Sequence, residues 1–96
     1  MFARVITAQA GERGFDDVIR LANQELPAAR QRPGFAGYFL LTDDSTGNVI
    51  IISLWQTRED MKAVARETAV GIHDDGLSET GLSSLRLETY DVAVQA

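Results

Sequence analysis

The sequence predicts an α+β fold of ferredoxin-like type, with six elements in the order βαββαβ around an antiparallel sheet. Three observations lead there. A β-branched run opens the chain, two apolar runs around a cluster of turn formers read as a hairpin, and two stretches of helical periodicity separate these strands from one another and from a last apolar run. The 96 residues suit one domain spanning 1–96. A chain of this size buries only roughly two-thirds of its unfolded surface, which leaves no room for a second core.

Residues 2–9 (FARVITAQ) form the first strand and stop at AGERG, where Gly11 and Gly14 break the run. From Phe15, apolar residues recur at Val18, Ile19, Ala22, Leu26 and Ala29, the spacing of one helical face. Pro27 lacks the N–H that a helix interior uses, so a kink near Leu26 or a fresh first turn at Pro27 is expected before RQRPGF ends the helix. Residues 35–41 (FAGYFLL) and 48–55 (NVIIISLW) flank TDDSTG and make the hairpin. An even loop places Tyr38 and Leu40 on the face of Trp55; an odd loop places Phe39 and Leu41 there. Thr57, with Asp60 three residues on, caps a second helix whose inward stripe is Met61, Val64, Ala65, Thr68 and Ile72. Gly71 closes that helix, HDDGLSETGLSS is a polar loop, and LRLETYDVAV (85–94) is the last strand.

The third strand carries a surplus of apolar side chains. Alternation puts Val49, Ile51, Ser53 and Trp55 on one face and Ile50, Ile52 and Leu54 on the other. Both helices of such a fold stack on one face of the sheet, so the second set has no cover within the chain. Leaving it wet forfeits roughly 1.5–3 kcal/mol per side chain. A homodimer, with Ile50, Ile52 and Leu54 as its face, is therefore expected.

Composition excludes several functions. With 14 acidic against 9 basic residues the net charge is −5, so no positive field draws nucleic acid or an anionic membrane. Cysteine is absent, which removes disulfides, thiol catalysis and thiolate metal sites. MFARVITAQA lacks a signal-peptide core and no stretch approaches the roughly 20 apolar residues of a membrane span, so a cytoplasmic protein is expected. DDSTGN resembles a calcium loop but has Leu54 where the bidentate Glu belongs, and GIHDDG lacks the Lys and Ser or Thr of a phosphate loop. Ser83 and Ser84 lack a nucleophile-elbow context. No metal and no cofactor are expected.

The run RPGFAGYFLLTDDSTGNVIIISLWQTREDMKA, roughly a third of the chain, resembles the antibiotic-biosynthesis-monooxygenase-like family of dimeric α/β barrels. The shared features are a Pro-Gly-Phe lead-in, a hairpin, and a strand ending in Trp before a capped helix. The resemblance implies that two sheets pack face to face, and that each subunit has a pocket between its sheet and its helices with Trp55 pointing into it. It also implies departures. Some monooxygenases of the family carry an Asn where this chain has Ile51 and a Tyr about where Met61 stands. The haem degraders combine an Asn on the first strand, the Trp, and a His in the second helix; the matching positions here are Arg4, Trp55 and Ala65, which counts against haem degradation by that route.

The function the resemblance implies is cofactor-independent monooxygenation of a small planar aromatic or polyketide-like substrate held between sheet and helices. The alternative is a non-catalytic homodimeric ligand-binding or structural relative. Trp55, Tyr38 and Arg4 are the candidate substrate contacts: an indole stacks on planar rings, a phenol donates a hydrogen bond, and a guanidinium holds an anion. Arg4 has a second reading, as the ion-pair partner of Glu88 on the last strand. His73 is the only histidine and the candidate base for deprotonating a phenol or enol, with Asp74 and Asp75 beside it.

Overall fold

The protein is described by a computed structural model, in which residues 1–12, 14–63 and 82–96 are placed. β1 (Phe2–Gln9), α1 (Asp16–Arg30), β2 (Phe35–Asp43) and β3 (Asn48–Trp55) follow in order. A second helix, α2, begins at residue 58 and is described through 63. β4 (Ser83–Asp91) closes the sheet, whose strand order is β2-β3-β1-β4 and whose three pairings are all antiparallel. This is the ferredoxin-like arrangement that the element order predicts.

The local signals act as their chemistry requires. Asp43 Oδ1 accepts from the Ser45 N–H and hydroxyl at 2.9 and 2.7 Å, and Gly47, at φ 76°, donates to the Asp43 carbonyl at 2.8 Å, which closes the hairpin. Its loop, residues 44–47, is even. Tyr38 therefore pairs with Ser53 and Leu40 with Ile51, on the face of Trp55, while Phe39 and Leu41 go to the other face. Thr57 caps α2: its Oγ1 accepts from the Asp60 N–H at 3.1 Å and donates to the Asp60 carboxylate at 2.8 Å.

Three local expectations are corrected. α1 runs through Pro27 to Arg30 without restarting, at the loss of the one N–H that residue 27 would otherwise donate within the helix. Ile19 is exposed, and the buried stripe of α1 is Val18 and Ala22. β4 starts two residues earlier and ends at Asp91 instead of residue 94, since a register shift between Thr7 and Gln9 lets Ser83 pair with Gln9. The end of the second helix, Ala65, Gly71 and the loop containing His73 lie outside the described residues.

The core lies between the sheet and the helices. Ile6, Ala8, Val49 and Trp55 of the sheet are buried there with Val18 and Ala22 of α1 and Met61 of α2. The opposite face has no such cover among the described residues. Phe39 and Tyr90 are about half exposed on it, at 52% and 50%, Leu41 is exposed, and Ile50, Ile52 and Leu54 are half-buried.

Candidate functional site

Register assembles the site from β1, β2 and β3. Arg4 pairs with Ser53 on β3 and Thr89 on β4, and Ser53 pairs with Tyr38 on β2. Strand alternation then puts Arg4, Ser53, Tyr38 and Trp55 together on the helix side of the sheet. Three of the sequence candidates, Arg4, Tyr38 and Trp55, thus share one face. His73 lies outside the described residues.

Trp55 is 1% exposed and its indole N–H donates to Ser53 Oγ at 3.0 Å. Its ring meets Phe35 edge to face, with centroids 5.6 Å apart. The indole N–H is thus already satisfied by the chain, which alters the expectation that it would hold a substrate oxygen. Sequence reasoning missed Ser53, although a residue two positions from Trp55 on the same strand faces the same way.

Arg4 is 6% exposed, and its Nε and Nη2 are buried with no hydrogen-bond partner among the described residues. The Glu88 pairing is overturned. Glu88 is the register partner of Val5, on the opposite face, where it accepts the Tyr90 hydroxyl and pairs with Arg86 at 3.7 Å. Burial holds the Arg4 pKa below its ordinary value, with Tyr38 opposing that shift. Burial raises the Tyr38 phenol, Glu25 of α1 raises it further, and Arg4 pulls it back. Glu25 is a second residue that the sequence reading missed; it lies three positions beyond buried Ala22, at the margin of the inward helix face.

A cavity of about 370 Å³ adjoins this cluster. Its wall includes Phe2 and Thr89 from the sheet and Met61, Arg58 and Lys62 from α2. Phe2 is the register partner of Trp55, and Thr89 is that of Arg4. Arg4 is the next residue after Phe2 on this face, although it is not part of the cavity wall. The Arg58 guanidinium lies over the Phe2 ring at 5.2 Å and pairs with Asp91 at 3.5 Å, so it is already engaged at the rim.

Among the described residues no group of three or more His, Asp or Glu converges on a possible metal position, and no helix is long and apolar enough to cross a membrane. The arrangement offers a cavity with both apolar and charged residues in its wall, an aromatic cluster and, among the described residues, a buried guanidinium whose Nε and Nη2 are unpaired. That combination suits the binding of a small apolar molecule with a polar or anionic end.

Comparison with solved structures shows the same fold in several proteins of low identity. A candidate antibiotic biosynthesis monooxygenase from Deinococcus radiodurans is 21% identical, with a TM-score of 0.78 over 100% of this chain and 96% of that one. The haem degrader MhuD from Mycobacterium tuberculosis, solved with two haems in its active site, is 15% identical, with a TM-score of 0.77 over 100% of this chain and 99% of that one. A candidate antibiotic biosynthesis monooxygenase from Nitrosomonas europaea is 11% identical, with a TM-score of 0.76 over 96% and 89% of the two chains. At these identities the likeness speaks to fold alone. Comparison with the curated proteins finds no match. The model of the antibiotic biosynthesis monooxygenase family matches residues 1–70, and the chain belongs to that family.

Proposed function

We propose that the protein is a homodimeric, cofactor-independent monooxygenase that binds a small planar aromatic or polyketide-like substrate on the helix side of its sheet. The cavity carries this reading: it has the volume of a small-ligand site, and Phe2 and Thr89 in its wall pair with Trp55 and Arg4. In such a reaction a phenol or enol loses a proton and the carbanion-like substrate itself reduces O₂. One oxygen atom enters the substrate as a carbonyl at a carbon that was CH₂, and the other leaves as water with both of that carbon's hydrogens, so the substrate supplies all four electrons. The chain's part is to orient the ring, exclude water and accept the proton, with His73 as the proposed base. The second copy covers Ile50, Ile52 and Leu54, with Phe39, Leu41 and Tyr90 beside them on that face.

A second reading, a non-catalytic dimer that binds a ligand or serves a structural role, is favoured by one observation. The indole N–H of Trp55 is satisfied by Ser53 and its ring is buried against Phe35, as in an ordinary core. The two readings separate in one experiment. Planar phenols and anthrones are titrated while Trp55 fluorescence and oxygen consumption are followed, with Trp55→Phe as the optical control. Saturable quenching with oxygen uptake that falls in His73→Gln supports the enzyme; saturable quenching without uptake supports the binding module. No saturable change across the panel would sink the enzyme reading.

A further inference from the structure

We infer that the helix-side site takes a carboxylate on the guanidinium of Arg4, so that its ligand is a planar aromatic acid. This deepens the function proposed above and rests on it for the place and shape of the ligand. The observation behind it is independent: Arg4 is 6% exposed, with Nε and Nη2 both buried and both without a partner among the described residues. A cation withdrawn from water without a counter-charge is costly, and buried charges are ordinarily paired. Among the described residues the acids near Arg4 do not supply the pairing. Glu88 is on the other face of the sheet and Glu25 acts on Tyr38. Ser53, the neighbour across the β1–β3 ladder, accepts from the Trp55 indole instead.

The identity of the two bare atoms selects the ligand. Nε and Nη2 lie along one edge of the guanidinium, and their N–H groups point the same way, forming the side-on fork that matches the two oxygens of a carboxylate. A single phenolate oxygen satisfies only one of them well. A phosphate also fits the fork, but it brings a second charge into a face lined by Ile6, Ile51 and Trp55, in a chain whose net charge is already −5. A carboxylate neutralises Arg4 and brings no excess charge. The ring attached to it extends toward the cavity walled by Phe2, Thr89 and Met61 together with Arg58, Lys62 and Asp91.

The test is calorimetric titration with matched acid and amide probes of increasing size: benzoate and benzamide, 2-naphthoate and 2-naphthamide, anthracene-2-carboxylate and its amide. The native protein is expected to bind the best-fitting acid about tenfold to a hundredfold more tightly than its amide. Arg4→Met abolishes that preference while keeping the amide affinity, and Arg4→Lys, which retains charge but not the fork, restores only part of it. Without ligand, Arg4→Met is expected to melt at a higher temperature than the native chain, because it removes an uncompensated cation. Equal binding of acid and amide, unchanged in Arg4→Met, overturns the carboxylate and leaves the pocket reading standing. Absence of binding by every probe overturns both. A lower melting temperature for ligand-free Arg4→Met means that the chain supplies its own counter-charge, and also overturns the inference.

Discussion

Ser53 Oγ accepts the indole N–H of Trp55 at 3.0 Å, so the largest buried side chain of the sheet is held by its neighbour on the same strand face. Ser53→Ala leaves that N–H unsatisfied in a buried position and is expected to cost about 1–3 kcal/mol. Urea unfolding measures the loss. Combining it with Trp55→Phe should recover most of the hydrogen-bond part, since no donor is then stranded.

Gly34 sits at φ 77°, and a Cβ there would lie 2.1 Å from the Asp60 carboxylate. The Pro-Gly-Phe turn is thus packed directly against the cap of α2, and its carbonyl also accepts the Gln56 N–H at 2.8 Å. Gly34→Ala is expected to destabilise the protein by about 2 kcal/mol or more from backbone strain and the clash together. Asp60→Ala in the same chain should relieve the contact with the carboxylate, leaving the Cβ contact at 2.9 Å and the strain, so the double variant should be less impaired than the sum of the two.

Tyr38 titrates above the ordinary phenol range because it is buried and faces Glu25, with Arg4 acting in the opposite direction. Spectrophotometric titration should therefore find its pKa lowered in Glu25→Gln and raised further in Arg4→Met. The neutral phenol is the form the fold favours. Its contribution to stability is full below the unfolded-state pKa and is lost as pH rises through the higher folded value, so the loss of stability at alkaline pH should be larger in Arg4→Met than in Glu25→Gln.

Ile52 lies at the middle of the apolar face that the proposed dimer covers, as the register partner of Val5 and Phe39. Ile52→Glu is expected to give a monomer by analytical ultracentrifugation at micromolar concentration, with the far-ultraviolet signal of the helices retained. The native chain should sediment near twice 10.5 kDa. A native monomer under those conditions would remove the dimer from the proposed function.

The sequence by itself determined the elements, because each rests on short-range physics. Alternation marks β1 and β3, 3.6-residue periodicity marks α1, Asp43 with Ser45 and Gly47 closes the hairpin, and Thr57 with Asp60 starts α2. It also identified a sheet with two apolar faces, which alternation alone makes legible. Only the tertiary structure decided which side chains meet. The even loop put Tyr38 beside Ser53, and a one-residue difference in register put Glu88 opposite Val5 instead of Arg4. A strand's period is two, so a single step of register moves a side chain to the other face, and no local pattern in β1 or β4 encodes that step. The bare fork of Arg4 follows from that register: Thr89 lies opposite it, and the carboxylate one residue earlier points to the other side of the sheet.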